Sequence, residues 1–72
     1  MRVSYNKLWK LLIDRKMNRS QMRKAADIST FTLVEMGKDE NVSMEVLKRI
    51  CNALNCNVGD IMDILPDEDD EK

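Results

Sequence analysis

Thr30, Phe31, Val34 and Glu35 place a hydroxyl, an aromatic ring, a branched alkyl group and a carboxylate within one short stretch. Helical spacing puts them on or near the outer side of a helix from about Ser29 to Met36, with Leu33 and Met36 turned inward. Two exposed apolar side chains on one helix face mark a contact surface. Cations flank the stretch in sequence: Arg19 and Arg23 before it, Lys38 after it. Side chains of these types recognise rather than make bonds. They offer hydrogen bonds, apolar contact and attraction to a polyanion. The chain has no His, and neither a Gly-rich phosphate loop nor a pocket of paired carboxylates is visible. It is therefore expected not to be an enzyme.

Positioning those side chains takes two short helices with a tight break between them. Apolar residues fall at Met22, Ala25, Ala26, Ile28, Leu33 and Met36. The first of the two helices begins at Asn18, a good N-cap with Gln21 at N3 to complete a capping box, and ends near Ala26. Met17 and Met22 are spaced for a hydrophobic staple. Asp27 is the turn residue, and Asp is among the few non-Gly types that tolerate positive φ. Ile28 plugs the junction, Ser29 caps the second helix, and Gly37 ends it.

Three further helices surround this pair. One runs from about Ser4 to Lys16, capped by Ser4, with Tyr5, Leu8, Trp9 and Leu12 on its apolar face and Leu11 and Ile13 broadening it. Another starts at the Ser43 cap and runs to about Asn55, with Leu47, Ile50, Cys51 and Leu54 inward. The last spans Val58 to Leu65 and stops at Pro66. No strand signal is evident, so the expected fold is all-α, with five short helices.

At 72 residues the chain has room for one small domain, expected over 1–66. The net charge of −1 hides an uneven distribution. Residues 1–24 hold eight basic side chains against one acid, Asp14. Residues 67–72, Asp-Glu-Asp-Asp-Glu-Lys, form an acidic tail expected to be disordered. A basic front on a small helical domain suits a polyanion partner. Cys51 reads as a small buried hydrophobe and Cys56 as a turn residue. Two cysteines without His make a poor zinc site, so neither a metal nor a cofactor is expected. No apolar run nears the roughly 20 residues that span a bilayer, and no signal-like stretch follows the start. A cytoplasmic location is the default expectation, and a disulfide is not expected there.

Residues 17–36 resemble the helix-turn-helix of the Cro and phage-repressor (XRE) family, whose domain is lambda-repressor-like. The resemblance is carried by Asn18, Met22, Ala26, Ile28, Ser29 and Leu33, and downstream by Ser43, Leu47, Ile50, Ala53 and Leu54. Gly37-Lys38-Asp39-Glu40 is similar to its compact single-domain branch. One departure stands out: Asp27 replaces the usual turn Gly.

The resemblance implies a double-stranded-DNA-binding transcriptional regulator, a repressor by expectation, whose second helix enters the major groove. It implies base contacts from Thr30, Phe31, Val34 and Glu35, and phosphate contacts from Arg19, Gln21, Arg23 and Lys38. The side-chain types are suitable. Thr offers a hydroxyl and a methyl, Phe31 an apolar face for thymine methyls, and Glu35 an acceptor for a cytosine amine. Glu35 could instead neutralise Lys38 or Arg19. So small a domain covers few base pairs, which argues for a homodimer on half-sites about 34 Å apart. Ile61, Met62, Ile64 and Leu65 are the candidate dimer surface, set against ordinary core packing. The alternative is a protein-interaction module, such as an antitoxin or anti-repressor partner, that engages protein through Phe31 and the acidic tail.

Overall fold

The two ends of the domain pair with each other in a small antiparallel sheet. A computed structural model of the chain describes residues 1–66, and the acidic tail expected at 67–72 lies outside the described residues. Strand β1 (Arg2–Ser4) runs antiparallel to β2 (Asp63–Leu65), with Val3 opposite Ile64. Between them come α1 (Asn6–Asp14), α2 (Arg19–Ala26), α3 (Thr30–Gly37) and α4 (Met44–Leu54), then a single 3-10 turn at Val58–Asp60. The described residues thus hold four α-helices and a two-stranded sheet, not the five helices expected from sequence.

The last expected helix fails for a local reason. Pro66 disfavours helical backbone at Leu65, and a stretch this short gains little from helix propagation. Extended, it can take up the backbone hydrogen bonds offered by the N-terminal stretch around the β-branched Val3. Ser4 consequently lies in a strand. It still accepts the first helical amide, Asn6 N–H, on its Oγ at 3.4 Å.

Tyr5, Leu8 and Leu12 of the first segment, Met22 and Ala26 of α2, Ile28, Met36, and Leu47, Ile50 and Leu54 of α4 form one buried cluster. Ile61 is wholly buried within it, so Ile61 is core rather than dimer surface. It also accepts the Leu8 amide on its carbonyl at 3.2 Å. Two other expectations are corrected at the edges. Ile13 points outward instead of widening the α1 stripe, and Cys51 is half-buried rather than enclosed.

All four helices end in the same way. Lys16, Asp27, Asp39 and Asn55 have φ between 53° and 58°, and each is followed by a residue whose amide bonds the carbonyl five positions back. This is the Schellman closure, which satisfies the last orphan carbonyls of a helix. The left-handed position is normally glycine, and here it never is. Gly37 does not supply it for α3: neither glycine has positive φ, and Asp39 takes the position instead.

Candidate nucleic-acid interface

The helix α3 is clamped at both ends. At its start, Ser29 Oγ accepts the Thr32 amide at 3.0 Å, as the cap reading requires. Just before it, the Asp27–Ile28 bend is gripped from two sides. Arg49 of α4 donates Nη1 to the Asp27 carbonyl at 2.8 Å, and Arg23 donates Nη1 to the Ile28 carbonyl at 3.3 Å. Ile28 is buried, as a plug should be. Arg49 is itself held by Glu45 at 3.2 Å.

At the other end, Tyr5 ties the exit of α3 to the start of α1. Its main-chain N–H donates to Asp39 Oδ1 at 3.2 Å, and its hydroxyl donates to the Glu40 carbonyl at 2.7 Å. Burial pushes the Tyr5 phenol above its ordinary value, the Asp39 carboxylate pushes it the same way, and a hydrogen bond with the Val42 backbone opposes both. In the middle, Met36 is fully buried and Leu33 half-buried against the core. Rotation of α3 about its own axis is therefore blocked by packing, and translation by both end clamps.

What remains outward is the flank expected from sequence. Thr30 is exposed, Phe31 is 72% exposed and Val34 48%. Glu35 is only half-buried. No ion pair joins it to Lys38 or Arg19 among the described residues. Lys38 is the exposed C-cap of α3.

Arg19, the first residue of α2, sits with its guanidinium 3.8 Å from the centroid of the Trp9 ring. A Cβ added at Gly37 would meet its Nη1 at 3.4 Å. Arg19 thus lies at the joint of α1, α2 and the end of α3. Gln21 completes the capping box, accepting the Asn18 amide on Oε1 at 2.8 Å while its own amide donates to Asn18 Oδ1 at 2.7 Å. The side-chain nitrogen of Gln21 takes no part in either bond. Arg23 is spent partly on the Ile28 carbonyl. Three contributors were missed by sequence reasoning: Trp9 as the platform for Arg19, and Arg49 and Tyr5 as clamps. Each acts across 10 or more positions of chain, beyond the reach of helical periodicity.

The other expected surface is elsewhere in the fold. Met62 and Leu65 are half-buried and Ile64 is 63% exposed. Met62 and Ile64 line an apolar groove of about 410 Å³ with Met44, Leu47, Val58 and Gly59. No group of His, Cys, Asp or Glu among the described residues is placed to hold a metal ion, and no helix there is long and apolar enough to cross a membrane.

Comparison with known proteins agrees with this geometry. Residues 7–67 match the family model of the Cro/C1-type HTH DNA-binding domain. The crystal structure (form II) of the transcriptional regulator VanUg superposes with a TM-score of 0.88 at 56% identity, covering 92% of this chain and 88% of that one. The uncharacterized HTH-type transcriptional regulator YozG of Bacillus subtilis (strain 168) is 31% identical over 61 residues, covering 82% of this chain and 73% of YozG.

Proposed function

The chain belongs to the Cro/C1-type helix-turn-helix DNA-binding family, and from that premise we propose that it is a sequence-specific repressor that reads the major groove with α3. The observation that carries the proposal is the open Thr30–Phe31–Val34 flank on a helix fixed at both ends. A reading helix must not move when it meets base edges, because ordering it at that moment would cost affinity.

Arg19 and Lys38 grip phosphates at the C-terminal end of α3, and Gln21 and Arg23 do so along α2. These contacts set register and orientation and release counterions, without regard to sequence. Thr30, Phe31, Val34 and Glu35 then discriminate between bases. Two copies bind half-sites related by a twofold axis, joined through the surface of Met62, Ile64 and Leu65. Repression follows from occupying a promoter that polymerase must reach.

Selection from a random duplex library tests this directly. Enrichment of one motif with inverted symmetry is expected. A library that stays unenriched through repeated rounds rejects the proposal.

A further inference from the structure

Readout of base edges by hydrogen bonding rests mainly on Arg, Lys, Asn and Gln. The helix α3, Thr-Phe-Thr-Leu-Val-Glu-Met-Gly, contains none of them. Its second hydroxyl is already engaged: Thr32 Oγ1 lies 2.9 Å from Ser29 Oγ. The polar supply on the outward side comes down to Thr30 and the half-buried Glu35. The apolar supply is larger. Phe31 and Val34 are separated by three positions, which places them on one helix face, and both are well exposed.

The apolar feature that a major groove presents is the C5-methyl group of thymine. A cytosine methylated at C5 carries the same group on the same edge. The charges around the patch fit a duplex: Arg19 packs beside Gly37, Lys38 follows it, and Arg23 stands at the Ile28 carbonyl. A phosphate backbone is the partner that such a rim attracts.

We infer that α3 recognises C5-methylated pyrimidines, reading their methyl groups with Phe31 and Val34. This rests on the proposal that α3 is the helix that enters the groove. Sequence preference then follows methyl positions, and cytosine methylation within a site alters binding.

The test uses the full chain and the selected duplex. Each thymine is replaced singly by deoxyuridine, which removes only the methyl, and binding is followed by fluorescence anisotropy. Loss of about fourfold is expected at one or two clustered positions, the value of one buried methyl group. Placing cytosine there and then 5-methylcytosine is expected to recover a similar factor. Phe31→Ala, at an exposed position that leaves the core intact, is expected to erase the thymine–uracil difference at its position. A tightly bound duplex whose every thymine tolerates uracil overturns the methyl readout while leaving DNA recognition in place. Retention of the full difference in Phe31→Ala overturns the assignment to Phe31. Failure to select any duplex overturns both the inference and the function beneath it.

Discussion

The guanidinium of Arg19 rests 3.8 Å from the centre of the Trp9 ring, so α1 holds the first cation of α2 in place. Stacking on an indole restricts a long side chain that would otherwise sample many rotamers. Such a contact is worth about 0.5–1 kcal/mol at an exposed site. Trp9→Leu is therefore expected to weaken binding to all duplexes by a similar factor, about two- to fivefold. Arg19→Ala goes further and lowers the salt slope of binding by about one unit. Anisotropy titrations across salt check both, with a urea titration to separate loss of fold from loss of contact. A sequence-selective loss in either variant contradicts the phosphate role.

Asp27 occupies the left-handed position at the break between α2 and α3, with φ 57° and ψ 49°. Its side chain is almost fully exposed and 3.9 Å from Arg49, an ion pair that contributes little. The Arg49 bond to its carbonyl does not need the side chain. Asp27→Gly is expected to stabilise the fold by about 1 kcal/mol through relief of left-handed strain, and Lys16→Gly by a similar amount. Gly37→Ala, at negative φ inside α3, is expected to stabilise by about 0.5–1 kcal/mol from helix propensity. Urea midpoints check all three. A fall in stability for Asp27→Gly contradicts the strain.

The break between α2 and α3 was legible because its determinants are local. Asn18, Gln21, Asp27, Ile28 and Ser29 act within a few residues of one another, and capping and plugging rules reach that far. The outward Thr30–Val34 flank followed from the same spacing. The ends were not legible. The Asp63–Leu65 segment carries apolar residues that fit a helix as well as a strand, and its partner, Arg2–Ser4, lies at the far end of the chain. Sequence left Ile61 open between core and surface for the same reason: its neighbour in space, Leu8, is distant in sequence. Gly37 suggested a left-handed stop, but the Schellman closure fell two residues later, where the Asp39 carboxylate also meets the Tyr5 amide.

Tyr5 links stability to alkaline pH. Burial raises its folded-state value above that of an ordinary tyrosine. The neutral phenol is thus favoured by folding. The corresponding stability is fully present below the ordinary tyrosine range and is lost as pH rises through the raised folded-state value. Urea midpoints are expected to fall above about pH 10, and Tyr5→Phe is expected to flatten that fall. Below it, Tyr5→Phe costs about 1 kcal/mol for the hydrogen bond to Glu40. A fall of equal size in Tyr5→Phe assigns the pH dependence to other groups.

Ile61 and Ile64 separate core from surface. Ile61→Ala removes wholly buried methyl groups and is expected to cost about 2–5 kcal/mol. Ile64→Ser, at an exposed position, is expected to change monomer stability by less than about 0.5 kcal/mol and to reduce self-association measured by sedimentation. Unchanged self-association removes Ile64 from the proposed dimer surface.

In the proposed function the Thr30–Glu35 flank meets DNA beside Arg19 and Lys38. Titrating the isotope-labelled protein with the selected duplex and mapping amide shifts tests it most directly. The largest shifts are expected at Thr30, Phe31, Val34, Arg19 and Lys38. Shifts concentrated instead on the groove of Met44, Val58 and Ile64, with α3 silent, contradict it.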